Sequence, residues 1–286
     1  MRRVSGLMVL AAILCAVGLG CAPAVHPVED LSSASSTAAT SSAVNISATP
    51  VSDVGSSLRL AAGDVFEIRQ TLPGGGIFSH DVVAPIRGTR LVTLTDFSPT
   101  SHVTLSWSAL GDDLQHPATA SGNVDQVNVL NSHEVLLPLL WTSASQAWTR
   151  STSGIWLSSD VFQEFTHTHQ ASIDLGFSDP RVQEVLAAWP QGEASLQHIR
   201  ALADAASNHQ VDVSSWTVDG KAHRATVEVN GKSEQLSVLE AHSWFGDMTI
   251  LDDAANPLII RLTLKQGGVN WFDFQIDHLI VSGFTH

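Results

Sequence analysis

The chain has 286 residues, a net charge of −14, no tyrosine and only two cysteines. So acidic a chain is repelled by nucleic acid and by anionic headgroups, and no basic patch overrides that. The lack of tyrosine excludes a tyrosine nucleophile, and three lysines, Lys221, Lys232 and Lys265, leave few candidates for lysine catalysis.

The chain opens Met1-Arg2-Arg3, a positively charged start, and residues 9–17 (VLAAILCAV) form an apolar run too short to span a bilayer comfortably. Gly18-Leu19-Gly20 then places small residues before Cys21. This pattern resembles the lipobox of bacterial lipoproteins, with Gly18 standing where Leu is more usual. The resemblance implies cleavage before Cys21, a diacylglycerol on its thiol and a further acyl chain, such as palmitate, on the freed amine. Two or more chains anchor stably where one does not. Loss of residues 1–20 removes Arg2, Arg3 and Cys15, so the mature chain is two charges more negative and holds Cys21 as its one cysteine. No disulfide, thiol nucleophile or Cys metal ligand is then expected in the folded body. Ala22 is not the Asp that resembles an inner-membrane retention signal. The expected location is therefore the cell envelope, lipid-anchored at the outer membrane, with the periplasmic or surface face left open.

Residues 21–56 carry Cys21 and a linker of Ser, Ala and Thr, punctuated by Pro23, Pro27 and Pro50. Such a composition cannot bury enough apolar surface to offset ordering. As a flexible coil it reaches roughly 30–35 Å. Residues 57–286 read as a β-rich globular domain, with a division into two subdomains near 142–153 as an option.

Within that domain, residues 64–70, 89–96 and 102–107 alternate apolar and polar side chains with period two. Residues 124–130 and 135–141 read as further strands, and 154–158 as a short one. Residues 160–167 fit an amphipathic helix capped by Ser158 or Ser159, with Val161, Phe162 and Phe165 apolar. Residues 171–177 are extended. The main helical block lies near 180–207: Asp179 caps it, Pro180 takes the first position, and Pro190 and Gly192 interrupt it. Its second part, 194–207, puts Leu196, Ile199, Leu202 and Ala203 on one face. Asp219-Gly220, between 211–218 and 222–229, and Asn230-Gly231, before 233–240, predict hairpins, because two-residue turns need positive φ. Residues 247–251, 258–264 and 271–281 complete the set. In the last, Phe272, Phe274 and Ile276 face one side and Asp273, Gln275 and Asp277 the other. The fold class is mainly β, antiparallel and sandwich-like, with two or three short helices; a parallel βαβ array does not fit so many hairpin turns.

Two stretches carry a further resemblance. Leu157, Ser158, Phe162 and Gly176 in the first, and Asn230, Gly231, Leu239, Ala241, Leu251, Asp252, Asp253, Asn256, Pro257 and Leu258 in the second, follow the pattern of a β-rich exported domain. That domain is found ahead of peptidoglycan-binding OmpA-type domains. No activity attaches to the pattern, and no OmpA-type sequence accompanies it here, so peptidoglycan binding is not implied.

Candidate chemistry is sparse. Asp252, Asp253 and Asn256 carry hard oxygen donors that suit a cation such as Ca²⁺. Adjacent residues of a strand point apart, however, and the preferred reading is a hairpin whose Asp and Asn side chains bond backbone N–H groups. His167 and His169 share a face if extended, as a Zn²⁺ or Cu²⁺ pair would, but no spacing identifies a third ligand, so exposed loop residues are preferred. His133-Glu134 lacks the second His of a zinc-protease helix, because Leu137 stands there. Gly176-Phe177-Ser178-Asp179-Pro180 lacks the closing Gly of a nucleophile elbow. The tryptophans Trp141, Trp148, Trp156, Trp189, Trp216 and Trp271 are scattered and read as core, while Trp244 and Phe245 read as an exposed pair. No cofactor is expected. The leading expectation is a non-catalytic binding or structural module, anchored to the membrane through Cys21, with an envelope protein or glycan as partner and no nucleic acid. The alternatives are a hydrolase acting on envelope or extracellular material, and a metal- or carbohydrate-binding module.

Overall fold

A computed structural model describes residues 57–72, 86–110, 121–138, 141, 151–177, 179, 183, 194–208, 211–266 and 269–285. Two short strands, β1 (Ser57–Arg59) and β13 (Gly283–Thr285), pair antiparallel to each other. The other strands join one 11-stranded sheet. Its first run is an antiparallel meander of β2 (Val65–Leu72), β3 (Ile86–Ser98), β4 (His102–Leu110) and β5 (Ser121–Asn128). Phe66, Ile68, Val92, Leu94, Val103, Leu105 and Trp107 point to its buried face. The period-two alternation of these segments dictates that, since alternate side chains leave opposite faces of a strand.

Helix α1 (Ser159–Thr168) follows, capped by Ser158, whose Oγ accepts from the Val161 N–H at 3.3 Å. Val161, Phe162 and Phe165 are buried, as the helical spacing requires. Next come β6 (Gln170–Ser172) and helix α2 (Ala194–Ser207), in which Leu202, Ala203 and Ala206 are buried. Then come β7 (Ser215–Val218), β8 (His223–Val229), β9 (Lys232–Ser243), β10 (Gly246–Leu251), β11 (Ile259–Gln266) and β12 (Val269–Ile280). The fold is therefore mainly β and antiparallel, and none of the described helices is long and apolar enough to cross a membrane.

Five of these strands close a barrel. The ring runs β8, β9, β10, β11 and β12, each antiparallel to the next. It is sealed by a parallel contact of two residue pairs between β12 and β8, His278 with Glu228 and Leu279 with Val229. β12 also pairs with β2 on its other side, which joins the barrel to the meander. Asn230 reinforces the seal. Its N–H donates to the Leu279 carbonyl at 2.8 Å, its Nδ2 donates to the Val281 carbonyl at 3.0 Å, and its Oδ1 accepts from the Val281 N–H at 2.9 Å.

Several local expectations change. Asn230-Gly231 forms the two-residue turn between β8 and β9, with φ of 52° and 78°. Asp219-Gly220 does not join paired strands: β7 pairs with β6 and β9, and β8 crosses to the barrel. There Asp219 bonds its own turn, its Oδ1 accepting from the Lys221 N–H at 3.0 Å. Of the expected strand 135–141, the described residues 135–138 are not a strand. Val135, Leu136 and Leu137 are buried consecutively instead of alternately, and Pro138 has no N–H for a ladder. Residues 154–158 make one isolated bridge, Trp156 with Leu258. Of the first half of the helical block, 180–192, nearly all lies outside the described residues.

The Asn230 clamp makes a prediction. Asn230→Gly tolerates the positive φ yet removes both side-chain bonds, so urea unfolding should show a loss of about 1–3 kcal/mol. A midpoint unchanged from the native protein would mean that the seal does not need the clamp.

Candidate functional site

The sequence-predicted residues do not converge. Asp252 is exposed, and its N–H donates to the Ser237 carbonyl. The Oδ1 of Asp253 accepts from the Ala255 N–H at 2.9 Å, a turn held by its own side chain. Asn256 is buried and donates from Nδ2 to the Leu58 carbonyl at 2.6 Å, tying the β10–β11 turn to β1. His167 is exposed in the last turn of α1, and His169 is its left-handed C-cap at φ 59°. The extended geometry that would put both imidazoles on one face is therefore absent, and the His169 ring instead lies against Gly220. Among the described residues no group of three or more His, Cys, Asp or Glu could hold a common metal ion.

Trp244 and Phe245 part company. Trp244 is 55 % exposed at the β9–β10 turn, while Phe245 is buried against Trp216 with ring centroids 5.1 Å apart. The Trp244 indole is nonetheless fixed: Nε1 donates to the Asp212 carbonyl at 2.6 Å, and the ring meets Phe245 edge-on. Trp141, Trp156, Trp216 and Trp271 are buried as expected; Trp148 and Trp189 lie outside the described residues.

The structure brings together a different set. β2, β12 and β8 lie side by side, in register at Glu67, His278 and Glu228. His278 Nδ1 lies 2.9 Å from a Glu67 carboxylate oxygen, and Nε2 lies 3.3 Å from one of Glu228. Bonding to Glu67 raises the His278 pKa above its usual value, burial opposes the rise, and the charges of Glu67, Glu228 and Asp277 add to it. The imidazole is thus biased toward its charged form. The carboxylates sit on opposite ring nitrogens, so the three groups cannot point at one cation.

This trio borders an open depression of about 470 Å³. Val65, Leu91 and Ile280 supply its apolar wall, and the Asn230-Gly231 turn closes one end. Ile280 is 60 % exposed there. The sequence pattern misses His278 because strict alternation places it with Phe274 and Ile276, facing inward. The register slips between Ile276 and His278, so Asp277 is an extra residue. That bulge turns His278 outward while Leu279 goes back to the core.

Two further clusters emerge only in three dimensions. Asp247 joins His242 at 2.9 Å and Lys265 at 2.6 Å across β9, β10 and β11. Burial raises the Asp247 pKa, but bonds from Lys265 and His242 outweigh it and hold the carboxyl below its ordinary value. At the β3–β4 turn, Ser101 Oγ lies 3.1 Å from His102 Nδ1, and His102 Nε2 lies 2.9 Å from Asp96. Hydroxyl, imidazole and carboxylate are the parts of a nucleophilic relay, yet all three lie at the surface, open to water.

No protein-family model, curated protein or solved structure matches the chain.

The His278 bridge makes a signed prediction. Its folded pKa is raised, so its stabilisation is complete below the unfolded pKa and fades as pH rises through the folded pKa. His278 is partly exposed, so the effect stays within about 1 kcal/mol. In urea titrations from pH 5 to 9, the native protein should lose this increment toward high pH, and His278→Gln should flatten that part of the profile. Equal profiles would remove the bridge from the account.

Proposed function

We propose that this protein is a membrane-anchored envelope lipoprotein whose β-rich head is a binding or structural module. The observation that carries the reading is Cys21, behind Arg2, Arg3, the apolar run 9–17 and Gly18-Leu19-Gly20. Lipidation accounts for the one cysteine the mature chain would keep. The polar stretch to residue 56 then acts as a stalk that lets the head search roughly 30–35 Å from its anchor. The anchor sets the place of work, and the head's surface sets the work.

Two surface features support a binding role for the head. The depression beside His278 combines an apolar wall with paired carboxylates, the mix by which small sites gain affinity and orientation. The Trp244 indole is exposed but rigid, so a glycan ring or a partner side chain can stack on it at little entropic cost. Both suit an envelope protein or glycan partner.

Labelling with an alkyne-bearing palmitate in a bacterial host is the test. The native chain should take up label and sediment with membranes. Cys21→Ala should lose the acyl mass and move to the soluble fraction, with the head still folded. An unlabelled native chain, or a Cys21→Ala chain that stays with membranes, would contradict the reading.

A further inference from the structure

Arg90 carries a charge in a largely desolvated setting. It lies on β3, paired with Ile68 of β2 and Ala109 of β4, on the face that Val92 and Leu94 bury. Its guanidinium carbon lies 4.1 Å from the Trp107 ring centroid and 5.9 Å from that of Trp141. Its one hydrogen bond to a described residue is long, from Nη1 to the Trp141 carbonyl at 3.4 Å. Burial pushes its pKa down to about 10, so its surroundings disfavour the charge it carries. An enclosed guanidinium usually has a carboxylate to offset its desolvation. Stacking on aromatic rings returns only part of that cost.

The surroundings have both room and unused polar atoms. Gly88 lies two residues from Arg90 on the same face and opposite Gln70, and a Cβ built on it would meet nothing within 4 Å. Gln70 and Trp107, also on that face, are 8 % and 3 % exposed. The Gln70 Oε1 and the Trp107 Nε1 are both buried without a hydrogen-bond partner. A structural cation–π contact would not need the orphaned atoms, whereas a bound ligand satisfies both.

We propose that Arg90, beside the contacting indoles of Trp107 and Trp141, anchors a binding site for a small organic monocarboxylate. A planar carboxylate matches the guanidinium fork with two parallel N–H···O bonds. The Trp107 N–H can serve a carboxylate oxygen, and the Gln70 carbonyl can accept from a ligand hydroxyl or N–H. Ile68, Gln70, Gly88, Val92, Trp107 and Ala109 bring no second cation to this face. A single negative charge is therefore balanced, whereas phosphate would carry a surplus. The flanking indoles suit an apolar body behind the carboxylate. This site is independent of the anchor at Cys21 and of the depression beside His278.

The test is titration of the full mature protein with sodium benzoate at low salt, followed by calorimetry and tryptophan fluorescence. Saturable binding is expected, with a rise in the unfolding midpoint. Arg90→Gln should weaken binding at least tenfold, and Arg90→Lys, which keeps the charge but loses the planar fork, should also lose most of it. Near-UV circular dichroism checks that each variant is folded. If Arg90→Gln does not fold, the comparison rests on Arg90→Lys and the native protein. No saturable benzoate binding by the native protein overturns the proposal, as does equal binding by the folded variants. Tighter binding of inorganic phosphate than of benzoate overturns the choice of carboxylate.

Discussion

The parallel seal between β8 and β12 is the constraint on which the barrel depends. Four of the five contacts in the ring are antiparallel and extensive, and this one spans two residue pairs. Without it, β8 would be held by β9 alone and would present an open edge. Val227, Val229 and Leu279, all buried, would lose their cover. The same seal aligns Glu228, His278 and Glu67 across three strands, so the depression beside them exists only while the barrel is closed.

Two kinds of bond hold the seal. Asn230 supplies amide bonds that do not titrate, and it also occupies the positive-φ position of the β8–β9 turn. One residue thus fixes the hairpin and fastens it to the last strand. His278 supplies a second link that depends on its proton. Its ring lies between two carboxylates, which favour its charged form, with Asp277 also near and itself paired with Arg69 at 2.9 Å. The clamp does not depend on pH because its partners are neutral, while the imidazole pairs depend on the His278 proton.

Much of the fold was legible in the sequence because it rests on local periodicity. The strands from Val65 to Leu110 alternate visibly, α1 has its Ser158 cap and apolar face, and Asn230-Gly231 announces its turn. The barrel closure was not legible, since which strand pairs with β8 is decided 50 residues away at Leu279. Asp219-Gly220 shows the limit of turn chemistry: the dipeptide turns the chain, but the strands on either side choose other partners. The candidate site was hidden by a single extra residue, Asp277, which reverses the facing of everything after it. Asp252, Asp253 and Asn256 were legible as a motif; Asp253 holds the turn and Asn256 ties it to β1. Arg90 drew no notice because one arginine in an alternating strand looks like surface until its two indoles come from segments 17 and 51 residues away.

Hydrogen exchange of the seal's own amides tests the central claim most directly. The Asn230 and Val281 N–H groups donate across the seam, to the Leu279 carbonyl and the Asn230 side chain. If closure holds the barrel together, both should exchange only through global unfolding, with the same free energy and denaturant dependence as amides of the β10–β11 core. Exchange through a small local opening, with that core still protected, would show that the barrel stands without its seal.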